Sequence, residues 1–323
     1  MLFVLIPTYM ISGFLGSGKT TVLLKLIEEC ERKNQRVGVI LNELGEVNIE
    51  KPLFQKQNVK ELLNGCICCT IKKDLETTLD ELIEEAQRNK LDLLIIEGTG
   101  VSNPLEVKKV LENPVYSSHF RLYSMISLID SSTFLEYQSV FSSTADIRKL
   151  LEEQMTSADV ILLNKQDLTK EKTLNKTIRK IKGLAGDSVP IFQTTYGRVP
   201  LEELWKRRID HSTSTHSSTE MREEAAHSHH HSGLQAIKIA PVPMVKKQEL
   251  EHWLSHLPKT VLRGKGVVNL AGHEGLYSFQ YSSNTLEFEK IQQQAGIHPA
   301  IILIGDRIQR TELLNSFNRI GKR

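Results

Sequence analysis

Gly13-Phe14-Leu15-Gly16-Ser17-Gly18-Lys19-Thr20 is a complete G-x-x-x-x-G-K-T, and what flanks it decides the fold. An apolar run at residues 8–11 precedes it, and the helical pattern Val22-Leu23-Leu24, Leu26-Ile27 follows. Strand, glycine-rich turn and helix in that order make a phosphate-binding loop. The glycines let backbone N–H groups turn inward around phosphates, and the amino end of the helix adds a dipole of the right sign. Gly13, Gly16, Ser17, Gly18, Lys19, Thr20 and Thr21 are then the phosphate-binding residues, with Lys19 reaching the terminal phosphates and the Thr20 hydroxyl ligating Mg²⁺. The plain alternative, a glycine-rich turn without a ligand, is disfavoured by the strand before it and the helix after it.

Outward from this loop, apolar strand patterns at 8–12, 36–41, 59–63, 91–96, 122–129, 160–163 and 191–194 alternate with helical patterns at 21–33, 74–89, 146–156 and 170–182. Such alternation predicts an α/β fold: a mostly parallel, doubly wound P-loop sheet with helices on both faces. Each helix is apolar on one side and charged on the other, the ordinary arrangement for a solvated face.

The apolar strand Val160-Ile161-Leu162-Leu163 ends in Asn164-Lys165-Gln166-Asp167. An N-K-x-D there faces the crevice outside the carboxyl ends of the strands, where α/β sheets hold ligands. The Asp167 carboxylate can accept from both the ring N–H and the amino group of guanine, a donor pair that adenine lacks. GTP is therefore the expected nucleotide, with Asn164, Lys165 and Asp167 on its base side. Thr194, Thr195 and Gly197 are candidates to close over the base, a plain turn being the alternative.

Between these motifs, Leu94-Ile95-Ile96-Glu97-Gly98-Thr99-Gly100 is a strand that ends in a carboxylate and a flexible loop. Glu97 is placed to address Mg²⁺ or its water, so Lys19, Thr20 and Glu97 are the candidate catalytic residues. Gly98 and Gly100 permit the backbone to respond to a γ-phosphate, as nucleotide switches do. Asn42-Glu43-Leu44-Gly45-Glu46-Val47 is a second candidate switch, in which Glu43 and Glu46 face metal, water or solvent.

Asn64-Gly65-Cys66-Ile67-Cys68-Cys69-Thr70 brings three thiols within four residues. Such a cluster can bind a thiophilic ion such as Zn²⁺ from one side, whereas a structural zinc site closes with four protein ligands. An incomplete cage suits a metal that must leave again. Oxidation of the vicinal pair Cys68-Cys69 is the weaker reading, because neighbouring residues make a strained bridge.

Taken together and in this order, the segments 13–20, 42–46, 65–70, 97–100 and 164–167 resemble the CobW-type metallochaperone GTPases, a family of SIMIBI-class P-loop proteins. Leu262-Arg263-Gly264-Lys265-Gly266 and Ile302-Leu303-Ile304-Gly305 resemble that family's smaller second domain. The resemblance implies GTP hydrolysis coupled to delivery of a transition metal to a client protein, with Cys66, Cys68 and Cys69 as metal ligands; Thr20 and Glu43 are the further metal-side candidates from the residues themselves. The sequence carries Leu44 where the family has Phe and Gly98 where it has Thr. Zinc is the metal that three thiolates favour; cobalt or nickel insertion is a further possibility, since availability overrides affinity.

Composition bounds the rest. The chain has 323 residues, 40% hydrophobic content and a net charge of +2, enough for one large and one smaller core and too balanced for a nucleic-acid face. No apolar stretch reaches membrane-spanning length, and residues 1–11 lack the basic start of a secretion signal, so a cytoplasmic location is expected. Cys30, alone in a helical pattern, reads as a packing residue. The expected domains are a nucleotide-binding unit at 1–206, a flexible spacer at 207–233 and an α+β unit at 234–323; a homodimer is a further candidate assembly. The spacer holds His211, His216, His227, His229, His230 and His231, six of the chain's 11 histidines. Weak, fast metal exchange there would support storage or buffering of zinc, and an inert polar spacer is the alternative.

Overall fold

Seven strands form one parallel sheet: β1 (Ile6–Gly13), β2 (Val37–Leu44), β3 (Asn58–Asn64), β4 (Leu93–Glu97), β5 (Phe120–Asp130), β6 (Val160–Asn164) and β7 (Ile191–Gln193), in the order β3-β2-β4-β1-β5-β6-β7. The computed structural model describes residues 5–44, 58–64, 71–88, 90–209, 233–282, 285–291 and 298–320.

The strands are nearly continuous apolar runs because both faces are covered, as parallel sheets require. Period-2 alternation sends Val37, Val39, Leu41, Leu93 and Ile95 to one face, under Val22, Leu23, Leu26, Ile27 and Cys30 of the helix Lys19–Arg32. It sends Ile40, Leu94 and Ile96 to the other face, under Leu75, Leu79 and Leu82 of the helix Ile71–Arg88. Chain direction across the sheet reverses between the centrally placed β1 and β5, since β1 leads toward β2 on one side and β5 toward β6 on the other. Ligands of doubly wound folds bind outside the carboxyl ends of the strands at that switch point.

Two helices that the apolar periodicity does not signal lie between β4 and β5, at Pro104–Leu111 and Pro114–Ser117. Each is opened by an Asn-Pro pair: Asn103 Oδ1 accepts from the Leu105 N–H at 2.9 Å and Asn113 Oδ1 from the Val115 N–H at 3.1 Å. Proline at the first helical position needs no N–H partner, so an asparagine cap followed by proline starts a helix that periodicity alone leaves hidden.

A second, antiparallel sheet is built from β8 (Leu234–Ile239), β9 (Val261–Asn269), β10 (Leu276–Ser282), β11 (Thr285–Lys290) and β12 (Ala300–Asp306), in the order β11-β10-β9-β12-β8. The helices Lys247–Ser255 and Arg310–Phe317 cover one face, where Trp253, Leu254 and Phe317 pack on Ile237, Ile301 and Leu303. Trp253 Nε1 donates to Ser316 Oγ at 2.9 Å, which satisfies the indole N–H at the edge of that core.

The opposite face meets the first sheet's domain. Leu234, Leu262, Ile302 and Ile304 join Phe14, Leu15, Val101, Ile147, Leu150 and Leu151 in one buried cluster. The Asp146 carboxylate borders it, accepting from the Gly233 N–H at 3.4 Å and pairing with Arg307 at 3.5 Å. The expected spacer begins with three packed residues: the N–H groups of Arg208 and Ile209 donate to Tyr123 O at 2.8 and 3.0 Å, and the Arg207 guanidinium lies 5.6 Å from the Tyr123 ring centre. From 210 to 232, with all six of its histidines, it lies outside the described residues. Among the described residues no helix is long and apolar enough to cross a membrane.

Candidate functional site

The carboxyl ends of β1, β4, β5 and β6 open into one cleft of about 590 Å³ whose wall includes Gly16, Gly18, Lys19, Thr20, Thr21, Glu97, Gly100, Asn164, Lys165 and Asp167. Segments as far apart in sequence as the phosphate loop and the N-K-x-D thus converge on one space.

The loop is built by glycines that no other residue could replace. Gly13 has φ 136° and a Cβ there would lie 2.3 Å from Leu128 O; Gly18 has φ 101° and a Cβ would lie 2.5 Å from Asn164 Nδ2. Both positions combine left-handed backbone with direct contact. The helix Lys19–Arg32 starts immediately beyond, so its first N–H groups point back into the loop. The Ser17 hydroxyl is buried and has no hydrogen-bond partner among the described residues, and Ser17 itself is fully buried. Lys19 is 7% exposed, and its ammonium donates to Gly13 O at 2.9 Å and Phe14 O at 3.3 Å, which curls it over the loop.

Thr20 Oγ1 donates to Glu97 Oε1 at 3.3 Å, a hydroxyl and a carboxylate from β1's loop and the end of β4. Two oxygen ligands side by side next to a phosphate cradle fit Mg²⁺, a hard cation that takes one or two protein oxygens, phosphate oxygens and water. Gly98, Thr99 and Gly100 continue from Glu97 as a buried loop, held by Gly98 N–H to Ile11 O at 2.9 Å and by Gln154 Nε2 to Gly100 O at 3.5 Å.

At the end of β6, Asn164 is 2% exposed and its amide is committed to the protein. Nδ2 donates to Ser17 O at 2.9 Å, while Oδ1 accepts from Thr194 Oγ1 at 3.0 Å and from the Gly197 N–H at 2.9 Å. It steadies three loops at once. Lys165 adopts φ 59° and its ammonium pairs with Asp130 Oδ2 at 2.7 Å. Asp167 lies in the turn Gln166–Leu168, exposed at the mouth of the cleft, with Leu168 and Tyr196 as apolar neighbours, 66% and 67% exposed. Thr195 enters through its carbonyl, which accepts from the Arg198 N–H at 3.1 Å in the turn that carries Gly197.

Asp130 was hidden in the sequence although its signal was present: it ends an apolar strand, as Glu97 does. Tyr196 and Leu168 carry no such signal. Arg263, Lys265, Gln280, Ser282 and Glu287 of the second sheet also line the cleft; in the sequence, residues 262–266 stood out only by their resemblance to a family's second domain. Glu43 stands on β2 opposite Leu63 of β3, its side chain outside the described part of the strand. Glu46, Cys66, Cys68 and Cys69 also lie outside the described residues. Among those described, no group of three or more His, Cys, Asp or Glu side chains is arranged to hold a metal. Cys30 is fully buried in the core, and burial pushes its thiol up to about 11, the opposite of what a metal-binding thiolate needs.

The family model described as CobW/HypB/UreG, nucleotide-binding domain, matches residues 7–191, and the cobalamin synthesis protein cobW C-terminal domain matches 236–320. Zinc-regulated GTPase metalloprotein activator 1 of Dictyostelium discoideum is 33% identical over 232 residues, covering 62% of this chain and 48% of that protein, so the match spans about half of the relative's length. The protein of the same name from Schizosaccharomyces pombe is 26% identical over 357 residues, covering 94% of this chain and 83% of the relative. Zinc chaperone YeiR of Escherichia coli is 31% identical over 239 residues, covering 72% and 67%. Among solved structures, Zn(II)-bound YjiA GTPase from E. coli aligns with 99% of this chain and 100% of its own at 20% identity and a TM-score of 0.45.

Proposed function

The chain belongs to the CobW/HypB/UreG family, and from that premise we propose that it is a GTP-hydrolysing metallochaperone that takes zinc at Cys66, Cys68 and Cys69 and couples nucleotide state to transfer of the metal to a client protein in the cytoplasm. The observation that carries the nucleotide half is the convergence on one cleft of the 13–20 loop, the Thr20–Glu97 oxygen pair 3.3 Å apart and the Asn164-Lys165-Gln166-Asp167 turn. Water attacks the γ-phosphorus, the bond to the β,γ-bridging oxygen breaks, and GDP and phosphate leave. Lys19 neutralises charge on the transferred phosphoryl group, the loop N–H groups hold the other phosphates, and Asp167 selects guanine. Thr20 and Glu97 would hold Mg²⁺, which would supply neutralisation of phosphate charge.

The metal half is supported by the names of the relatives and by the position of the thiols. β3 ends at Asn64, directly before the cysteine segment, and is paired along its length with β2, which enters the first switch segment. Nucleotide state at that switch then has a two-strand route to the thiols. Domain limits of 1–206, 207–233 and 234–323 belong to the same proposal.

The test is thermodynamic linkage. Zinc affinity, measured against a chromophoric chelator in apo protein and with GDP or a non-hydrolysable GTP analogue, should differ between states by about 5- to 150-fold, and zinc should shift GTP affinity by the same factor. Serine at all three cysteine positions should abolish the tight site and leave nucleotide binding intact. Equal zinc affinity in all three states would sink the coupling. The second reading, zinc storage, is favoured by the six histidines between 211 and 231; GTP turnover indifferent to zinc, with ion capacity lost on deletion of 207–233, would support it.

A further inference from the structure

The second domain supplies the outer wall of the nucleotide cleft. Arg263 and Lys265 sit two residues apart on β9 and so share a face of the sheet. Register places Lys265 opposite Gln280 and Arg263 opposite Ser282 on β10, and Gln280 opposite Glu287 on β11. These five residues form a polar patch that lines the same cleft as Lys19, Thr20 and Glu97. Lys265 is only 6% exposed and stands on the central strand of this sheet, within the lining of the cleft. The Arg263 guanidinium is aimed by Gln280, whose Oε1 accepts from it at 3.1 Å. Glu287 stands at the exposed side of the patch.

Two contacts set how near this wall is to the phosphate loop. A Cβ on Gly16 would lie 3.1 Å from Ser282 Oγ. Phe14 and Leu15, the variable positions of the loop, are buried with Leu262, Ile302 and Ile304 of the second sheet. The loop and the basic wall are therefore packed against each other across a domain boundary.

We propose that Arg263 and Lys265 are cations supplied in cis to the terminal phosphate of a nucleoside triphosphate held by the 13–20 loop, with Gln280 as the positioning residue for Arg263. The proposal rests on the nucleotide reading of the cleft and adds to it that hydrolysis depends on the second domain being docked. Lys19 approaches the phosphates from the loop side and the second-domain pair from the opposite wall. As water attacks the γ-phosphorus and the electron pair of the breaking bond passes to the GDP oxygen, charge accumulates on the phosphoryl and bridging oxygens. Cations facing that region from a preformed wall stabilise it, as an arginine supplied in cis does in other GTPases.

The experiment uses the full chain and the variants Arg263→Ala, Arg263→Lys and Lys265→Met, with far-UV circular dichroism to establish folding. GTP turnover is measured together with affinities for GDP and a non-hydrolysable GTP analogue. Arg263→Ala should lower kcat by about tenfold or more with a far smaller change in KM. It should weaken the analogue while leaving GDP affinity near wild type, because only the triphosphate reaches the wall. Arg263→Lys should recover part of the rate, and Lys265→Met should change kcat in the same direction as Arg263→Ala. Should Lys265→Met fail to fold, the partly exposed Arg263 decides by itself. Wild-type kcat and an unchanged ratio of analogue to GDP affinity in folded Arg263→Ala would overturn the proposal, as would an equal loss for both nucleotides, which marks a purely structural role. If the wild-type chain itself binds neither nucleotide, the nucleotide reading falls and takes this one with it; if it binds both and the variants match it, only this one falls.

Discussion

Asn164 Nδ2 donates to the backbone oxygen of Ser17 at 2.9 Å across 147 positions of sequence, so the N-K-x-D turn is fastened directly to the glycine-rich loop at 13–20. With Oδ1 taken by Thr194 and Gly197, the amide is a structural joint whose groups are all committed to the protein.

Asn164→Ala should therefore cost both stability and nucleotide affinity. Ser17 O, Thr194 Oγ1 and the Gly197 N–H lose a buried partner together, and buried groups left unsatisfied cost about 1–3 kcal/mol each, less where water enters. A stability loss of about 2–4 kcal/mol in urea denaturation is expected, with GTP and GDP weakened by the same factor. Selective loss of guanine over other bases, with stability unchanged, would contradict the joint.

Glu97→Gln keeps the shape of the side chain that accepts from Thr20 at 3.3 Å and removes its charge. The Mg²⁺ concentration for half-maximal GTP turnover should rise by about 10- to 100-fold while GDP binding without Mg²⁺ stays near wild type. A Mg²⁺ dependence identical to wild type would remove Glu97 from the metal side of the cleft.

Asp167→Asn exchanges a two-acceptor carboxylate at the cleft mouth for an amide with donors of its own. GTP affinity should fall and xanthosine triphosphate affinity should rise, by about tenfold or more in their ratio. Competition between the two nucleotides reads this directly, and an unchanged preference would place the base elsewhere.

Asp92 ties the start of β4 to that of β2. Its carboxylate accepts from the Arg36 N–H at 2.9 Å and pairs with Lys90 at 2.9 Å, and these, the Arg36 N–H first, hold it below its ordinary value of 3.8 despite some burial. A depressed folded value means stability that is complete above the ordinary value and is lost as pH falls through the folded one. Asp92→Asn should therefore lower the melting temperature near neutral pH and flatten the acid side of its pH profile. Parallel profiles for the two proteins from pH 6 down to 2 would show that the carboxylate contributes nothing.

Much of the nucleotide domain was legible because its signals are local. A strand that ends in Gly13 and a helix that starts at Lys19 leave the chain few ways to turn, and Leu162 and Leu163 carry Asn164 to the crevice wherever the sheet is. Local signals also misplaced things. The helix Lys19–Arg32 starts before 21, because Gly18 in the left-handed region is its cap, and Asn103-Pro104 and Asn113-Pro114 open helices that apolar periodicity cannot reveal.

The sequence by itself determined a parallel sheet of alternating strands and helices, the glycine-rich loop at 13–20, a strand-terminal carboxylate at Glu97 and an N-K-x-D turn at 164–167, all of them set by residues within one turn or strand of each other. It also determined that a second α+β unit follows. Only the tertiary structure decided what that unit does to the first. Phe14 and Leu15, variable positions of the loop, form the apolar plug against Ile302 and Ile304; Arg263 and Lys265, in the sequence only part of a segment that resembles a family's second domain, line the cleft. Which face of β9 meets which loop depends on how two separately folded cores bury their remaining apolar surface against each other. That is a property of paired surfaces, and no window of the chain contains both.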